Sequence, residues 1–178
     1  MGANDYHFVT RWIIAGTREE IYDLIGDAAA LPRWWPSVYL DARVVEPGEA
    51  SGVGKRVQLF TKGWLPYTLR WEFVVTEALR PERTAIEASG DFVGRGVWNF
   101  TQVGPQVAIT YDWRIRADKP LLRTLSFVMK PLFAANHRWA MERGRESLAL
   151  ELMRRRARND EERRSVPAPP GPTFRPRG

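Results

Sequence analysis

The stretch Asn136-His137-Arg138-Trp139-Ala140-Met141-Glu142-Arg143-Gly144 lies within the longest apolar-periodic run of the chain, residues 121–158. At about 1.5 Å per residue, a helix over 131–158 would be roughly 40 Å long. Pro131 predicts either a kink there or a junction between two helical pieces. Apolar or small residues recur along the run at intervals of three and four, as on one buried helix face: Met129, Phe133, Ala140, Met141, Gly144, Leu148 and Leu152.

The composition predicts one globular domain with a wide apolar interior. The chain has 178 residues, of which 44% are hydrophobic and 12% aromatic, including eight Trp. No apolar run approaches the roughly 18 residues of a membrane span, and the N-terminus shows no secretory signal, so we expect a cytoplasmic protein. The absence of cysteine excludes disulfides, thiolate metal sites and a cysteine nucleophile.

The net charge of +6 is concentrated at the C-terminal end. From Arg154 onward there are eight Arg and three acidic residues, a net +5, so the other 153 residues carry +1. A folded nucleic-acid-binding face is therefore not expected. The arginines at the end of the long helix instead suit the negative end of its dipole.

The segment before the long helix is predicted to form mostly strands. Thr17-x-x-Glu20 is a capping box that begins one helix, and Asp27 can cap a second short one over 28–31. The two prolines of Leu31-Pro32-Arg33-Trp34-Trp35-Pro36 argue against a regular element there. Alternation of apolar and polar residues, together with turn residues, predicts seven strands: 7–14, 38–45, 55–62, 67–77, 83–89, 97–103 and 107–116.

The last twenty residues have a different composition. Five prolines lie in the final twelve residues, after a charged segment. We therefore predict a domain over 1–158 and a disordered Arg/Pro-rich tail over 159–178, partly in polyproline II conformation.

The predicted order of strand, two helices, six strands and a long helix resembles the START-like or SRPBCC superfamily, in particular its polyketide cyclase/dehydrase and lipid-transport branch. The resemblance covers roughly residues 5 to 156. It is carried by residues 15–25 (AGTREEIYDLI), residues 31–36 (LPRWWP), Gly94-x-Gly96-Val97-Trp98, and residues 136–141 (NHRWAM) with Gly144.

This resemblance implies an α+β helix-grip fold, in which a curved antiparallel sheet holds a cavity beneath the C-terminal helix. It also implies that the cavity takes a hydrophobic or aromatic small molecule. It carries over no catalytic residue, cofactor or metal, and no oligomeric state is predicted.

Four aromatic residues on the apolar phase of their strands are the first candidate ligand contacts. Tyr67 and Trp71 belong to one strand and Tyr111 and Trp113 to another, so all four rings should point toward the helix. Buried Tyr and Trp need partners for their polar tips, which can be a ligand or the filled core. Trp98, after the glycines at 90, 94 and 96 that permit a bulge or bend, is a further candidate.

The long helix contributes the second set of candidates. Ala140 and Gly144 are small, so they either floor a ligand pocket or allow close packing of the helix on the sheet. Asn136 could donate a hydrogen bond into the cavity. His137 is either a polar contact or a structural histidine, since no partner for a general base is recognisable.

The Trp34-Trp35 pair is predicted to lie at the mouth of the cavity, as a lid; alternatively, one ring fills the core and the other rests on the surface. Charged residues on the opposite strand phase predict a solvated outer face. Asp91 could serve as an acid or base, but a turn role is the commoner one.

Three functions remain open from the sequence. The first is binding of a lipid or polyketide-like molecule. The second is an aromatase/cyclase or dehydratase acting on a polyketide-like chain in the same cavity, and the third is an interaction module whose Arg/Pro-rich tail recruits a partner. The expected partner is a small hydrophobic or aromatic ligand, with no specific nucleic acid, cofactor or metal.

Overall fold

A computed structural model of the chain describes residues 5–117 and 120–173, with only the backbone described at 117 and 120–129. The predicted inward position of Met129 therefore lies outside the described side chains. The elements in chain order are β1 (Asp5–Ala15), α1 (Arg18–Gly26), a 3-10 turn (Ala28–Ala30), α2 (Leu31–Trp34), β2 (Tyr39–Glu46), β3 (Arg56–Lys62), β4 (Thr68–Leu79), β5 (Arg83–Gly90), β6 (Phe92–Val103), β7 (Gln106–Ala117), α3 (Pro120–Arg156) and α4 (Asp160–Ser165).

The seven strands form one antiparallel sheet in the order β1-β7-β6-β5-β4-β3-β2. Strands β2 to β7 each pair with their neighbour in the chain, and β1 joins the far edge beside β7. The helices α1 and α2 therefore carry the chain from one edge of the sheet to the other. The predicted helix-grip architecture is confirmed.

The strand alternation places the aromatic residues on the face of the sheet that bounds the core. On β7, Tyr111 and Trp113 are buried, together with Ile109. The other face carries charges that pair across strands, as predicted: the Arg56 guanidinium of β3 donates to the Glu72 carboxylate of β4 over 2.8 Å.

Strand β6 begins earlier than predicted, at Phe92, and its pairing with β7 runs without a break through Gly94 and Gly96. Of the bulge or bend that the glycines permit, the β6–β7 pairing shows no bulge at Gly94 or Gly96. Gly96 instead makes room for side chains of β7, because a Cβ there would lie 2.7 Å from the Tyr111 hydroxyl and 2.8 Å from the Trp113 ring.

The long helix α3 is continuous over 37 residues, about 55 Å, with Pro131 inside it. Of the two predicted alternatives, the junction between separate helices is wrong. Its C-terminal half buries Met141, Leu148 and Leu152, in agreement with the predicted stripe. Three arginines occupy its last turn, where they oppose the helix dipole favourably.

The helix α2 (Leu31–Trp34) occupies the first four positions of the segment 31–36, which was predicted to lack regular structure. Pro32 lies in its first turn, where no intrahelical N–H is needed, so the helix tolerates it. The Arg33 guanidinium donates two hydrogen bonds, 2.8 and 3.0 Å, to the buried Glu151 carboxylate of α3. This bidentate pair ties α2 to α3.

The predicted capping box of α1 is confirmed: the Glu20 amide donates to the Thr17 hydroxyl, and the Thr17 amide donates to the Glu20 carboxylate. Glu20 also accepts from the Arg156 guanidinium over 2.8 and 2.9 Å. That contact fixes the end of α3 to the start of α1.

The segment after α3 departs from the predicted disorder. Residues 160–165 form the short helix α4, capped by Asn159, whose side chain accepts from the Glu162 amide. The Arg154 guanidinium donates to the Pro167 carbonyl over 2.7 Å, which holds the following segment against α3. The division into a domain and a tail at residue 158 remains a prediction.

Candidate functional site

A cavity of about 170 Å³ lies between the inner face of the sheet and α3. Its walls are mostly aromatic, with a few polar groups among them, and the lining residues that the structure describes include no carboxylate. Eight of the predicted contact residues line it: Trp35, Tyr67, Trp71, Tyr111, Trp113, Asn136, His137 and Ala140.

Three predicted contacts lie elsewhere. Trp34 and Trp98 line a second, smaller cavity of about 80 Å³. Four residues line both cavities: Trp35, Tyr39, Trp71 and Tyr111. Gly144 is buried beneath an indole, not in the lining of either cavity.

The Trp34-Trp35 pair is not a lid at the cavity mouth, and neither ring rests on the surface. The two side chains are 1% and 4% exposed. The helix α2, fixed by Arg33 to Glu151, turns both rings into the core. There Trp35 packs edge-on against Trp12 and Tyr39, at ring-centroid distances of 6.1 and 5.1 Å.

The two small residues of α3 have different roles. Ala140 lines the cavity, as the pocket hypothesis predicts. Gly144 instead accommodates Trp35, since a Cβ there would overlap the six-membered ring of that indole. The packing alternative therefore applies at Gly144, but the partner is the Trp35 ring at the end of α2 and not the sheet.

Asn136 uses its carbonyl oxygen to hold the β3–β4 loop. The oxygen accepts from the amides of Trp64 and Leu65, over 2.9 and 3.3 Å. Gly63 permits this approach, because a Cβ at that position would overlap the Asn136 side chain. Asn136 thus fixes the loop that borders the cavity.

His137 stacks on Phe8 of β1, with the ring centroids 4.2 Å apart and the planes 15° from parallel. Burial lowers its pKa to about 4, and the charge of Arg138 adds to the effect. In the described part of the chain its Nε2 has no hydrogen-bond partner. The imidazole is therefore neutral at physiological pH and is a weak base.

Two tyrosines, Tyr39 and Tyr111, lie in the wall between the two cavities. Burial raises the pKa of both, and the neighbouring Tyr39 raises that of Tyr111 further. Trp98 stacks on Tyr111 at a centroid distance of 3.9 Å. Both phenols remain protonated at neutral pH and can donate hydrogen bonds.

Several lining residues were missed by the sequence reasoning. Tyr6 and Phe8 share the inward phase of β1 with Trp12, a signal that alternation along the strand would have revealed. Lys62 carries no such signal, because it is the last residue of β3 and lies off the inward phase. Burial lowers the pKa of its ammonium group.

Thr61 is another lining residue that was missed, and it is the hydrogen-bond partner of the predicted contact Trp71. The Trp71 indole N–H donates to the Thr61 hydroxyl over 3.0 Å, so its polar tip is satisfied inside the protein. Trp71 accordingly offers the cavity its ring face and not a hydrogen bond.

A larger groove, of about 420 Å³, lies on the outer face of β2 to β5. Charged side chains such as Asp41, Arg43 and Glu72 line much of it, and Arg70 packs over the Phe60 ring at 4.3 Å. Small-molecule sites are typically apolar concavities with few polar groups. The aromatic inner cavity fits that description, so we take it as the candidate site.

Asp91, predicted as a turn residue or an acid, lies at the β5–β6 turn. Its carboxylate accepts from the Arg70 amide over 2.9 Å. It is not among the residues that line the inner cavity, so the turn role applies.

Residues 6–152 match the protein family described as polyketide cyclase / dehydrase and lipid transport. The chain belongs to this family. The predicted resemblance is thus confirmed, and the match covers the cavity and most of α3. A search of curated protein sequences finds no match.

Solved structures with the same fold include members from several bacteria. A protein of Thermus thermophilus is 17% identical, with a TM-score of 0.68, covering 85% of this chain and 100% of that one. The ZhuI aromatase/cyclase of Streptomyces sp. R1128 is 14% identical, with a TM-score of 0.66, covering 86% and 97%. A START superfamily protein of Mycobacterium smegmatis is 15% identical, with a TM-score of 0.61, covering 80% and 98%.

At these identities the likeness shows the fold that the family shares. Among the described helices, none is long and apolar enough to cross a membrane.

Proposed function

We propose that the protein binds a small hydrophobic or aromatic molecule, lipid-like or polyketide-like, in the cavity between the sheet and α3. The aromatic lining of this cavity is the observation that carries the proposal. Trp71, Trp113 and Phe92 form one continuous wall, with centroid distances of 4.9 to 6.0 Å between the rings. Apolar surface of this kind favours an apolar guest, and a cavity of about 150 Å³ is large enough for a benzene ring.

The polar groups around the wall support selective binding over nonspecific uptake of lipid. The phenols of Tyr39, Tyr67 and Tyr111 stay protonated, because burial raises the pKa of each one, that of Tyr67 to about 12. Binding sites commonly combine an apolar lining with a few such donors that orient the ligand.

The test compares a variant that fills the cavity with one that makes the same change on the surface. Ala140→Phe places a ring in the lining, whereas Ala29→Phe places it at an exposed position. Native mass spectrometry of the freshly purified proteins should reveal a co-purified small molecule in the wild type and in Ala29→Phe but not in Ala140→Phe. In a titration with a hydrophobic fluorescent dye, the wild type and Ala29→Phe should bind the dye more tightly than Ala140→Phe. Equal dye affinity in all three proteins would reject the cavity as the site.

A second candidate function is cyclisation and dehydration of a polyketide-like chain in the same cavity. The pair of protonated phenols at Tyr39 and Tyr111 favours it, since phenols can polarise a ketone. In such a reaction an enol carbon bonds to a carbonyl carbon, the carbonyl oxygen takes up the enol proton, and loss of one water creates the double bond.

This second function predicts product formation from a linear poly-β-carbonyl thioester, followed by the absorbance of the new aromatic ring. Tyr111→Phe should slow the reaction at least tenfold, which corresponds to about 1.4 kcal/mol of lost transition-state stabilisation. Tyr22→Phe is the matched control, because Tyr22 packs against Phe100 outside the larger cavity. If the rate with the protein equals the rate without it, the catalytic function is rejected and ligand binding remains as the proposed function.

A further inference from the structure

Four tyrosines line the cavity as two separate pairs. Tyr6 and Tyr67 form one pair, and both pack their rings against Phe133, at centroid distances of 6.0 and 6.2 Å. Tyr39 and Tyr111 form the other pair, in the wall toward the second cavity.

The register of the sheet separates the two pairs along the cavity. Tyr6 lies opposite Ile115 in the β1–β7 ladder, and Ile115 is four residues beyond Tyr111 on β7. At about 3.3 Å per strand residue, the backbone positions of Tyr6 and Tyr111 are roughly 13 Å apart along the strands. The Trp113 ring lines the cavity between these two positions, on the same face of β7.

The first pair includes a donor that the described part of the protein does not use. Tyr6 is 8% exposed, and its hydroxyl is buried without a hydrogen-bond partner there. Burial raises the pKa of Tyr67, and the neighbouring Tyr6 raises it further. A buried donor that lacks a partner is costly, and a ligand acceptor would offset that cost.

The second pair also lines the cavity. Burial raises the pKa of Tyr39 and of Tyr111, and the neighbouring Tyr39 raises that of Tyr111 further. Tyr111 is 7% exposed, and its hydroxyl lies over Gly96, where the missing side chain leaves it room. The protein thus keeps donors at both ends of an apolar cavity.

We propose that the cavity selects an elongated, largely apolar molecule with an oxygen acceptor at each end, such as a bisphenol or an aryl diketone. Each tyrosine pair binds one of the oxygens and determines specificity. This inference rests on the proposed function, because it names the class of ligand that the same cavity takes.

A set of three probes that differ only in their oxygens tests it: biphenyl, 4-hydroxybiphenyl and 4,4′-dihydroxybiphenyl. Affinity for the wild-type protein is measured by displacement of the fluorescent dye. Each added hydroxyl should tighten binding about fivefold, as expected for one neutral hydrogen bond.

Variants assign the two oxygens to the two ends. The paired variants Tyr6→Phe/Tyr67→Phe and Tyr39→Phe/Tyr111→Phe should each remove the gain from one hydroxyl. The fourfold variant should bind all three probes alike. Biphenyl itself should bind equally to every variant. Tyr22→Phe, outside the larger cavity, should reproduce the wild-type series.

The outcomes separate the two proposals. Equal affinity of the wild-type protein for all three probes would overturn the two-ended ligand class and leave the hydrophobic cavity intact. Undiminished binding of the bisphenol by the fourfold variant would also overturn the two-ended ligand class. Failure of even biphenyl to displace the dye would overturn the proposed function itself. If a variant does not fold, the wild-type series with three probes still decides the question.

Discussion

Replacing Gly144 with alanine places a methyl group where the indole of Trp35 lies. In an open helix interior this change stabilises a protein by about 1 kcal/mol, because glycine is a poor helix former. Here the new Cβ would overlap the Trp35 ring, which is 4% exposed and already packed against Trp12 and Tyr39. Overpacking of this kind costs about 1–3 kcal/mol. The net result should be a loss of up to about 2 kcal/mol, despite the better helix propensity.

The chain offers a matched control at Gly26, the last residue of α1. A Cβ there would meet no atom within 4 Å. Gly26→Ala should therefore leave the free energy of unfolding unchanged or raise it slightly. Urea unfolding followed by tryptophan fluorescence measures both variants, and Gly144→Ala should be the less stable by up to about 2–3 kcal/mol. For a chain of this size, each kcal/mol shifts the melting temperature by about 2–4 °C.

A second background isolates the contact between the two residues. In a Trp35→Leu protein the ring is absent, so the same Gly144→Ala change should become stabilising by about 1 kcal/mol. That reversal of sign is the distinctive expectation. If Gly144→Ala stabilises the wild-type protein as much as it stabilises the Trp35→Leu protein, the packing of Trp35 on α3 described above is wrong.

Three further predictions concern α3 and its contacts. Asn136→Ala should cost about 1–3 kcal/mol and speed hydrogen exchange at the two loop amides it binds, whereas Asn136→Asp, which keeps an acceptor oxygen, should protect them. The pKa of His137 falls from 6.5 to about 4 on folding, so stability should be lost as pH drops from 6.5 toward 4. In His137→Phe the free energy of unfolding should depend less steeply on pH over that window, and an unchanged pH dependence would contradict the burial of this side chain. Glu20 has a pKa of about 2, chiefly through the hydrogen bond from Arg156, so its contribution is present above pH 4.5 and is lost as pH falls toward 2; Glu20→Gln should remove that part of the acid dependence measured by circular dichroism.

The fold could be predicted from sequence because its signals are local and repeated. The capping box at Thr17 and the alternation on β7 each report a backbone conformation directly. The misread segment at α2 shows the limit. Its two prolines argue against a helix, but Pro32 falls in the first turn, and the pairing of Arg33 with Glu151 holds the helix in place. That pairing joins residues 118 positions apart, which local patterns do not reveal.

The site could be predicted only in part, for a related physical reason. Strand phase placed Tyr111 and Trp113 correctly, since alternation fixes the direction of a side chain. The roles of Gly96 and Gly144 depended on which aromatic ring lies above each of them. A glycine in the sequence indicates either that another group packs closely against it or that the backbone needs an unusual conformation. Which group packs against it is decided by tertiary packing.

The electrostatics of the cavity bear on the choice between binding and catalysis. Burial acts on its titratable lining groups in one direction, toward the neutral form: the phenols keep their protons, and the imidazole of His137 stays uncharged. A general base for enolisation works best with a pKa near the working pH, and a value of about 4 is far from it. The same neutral groups are well suited to donate hydrogen bonds to a ligand without the cost of burying charge. Chemistry in this cavity would therefore depend on phenols that polarise a carbonyl group of an already reactive chain, and proton removal would depend on water or on the substrate.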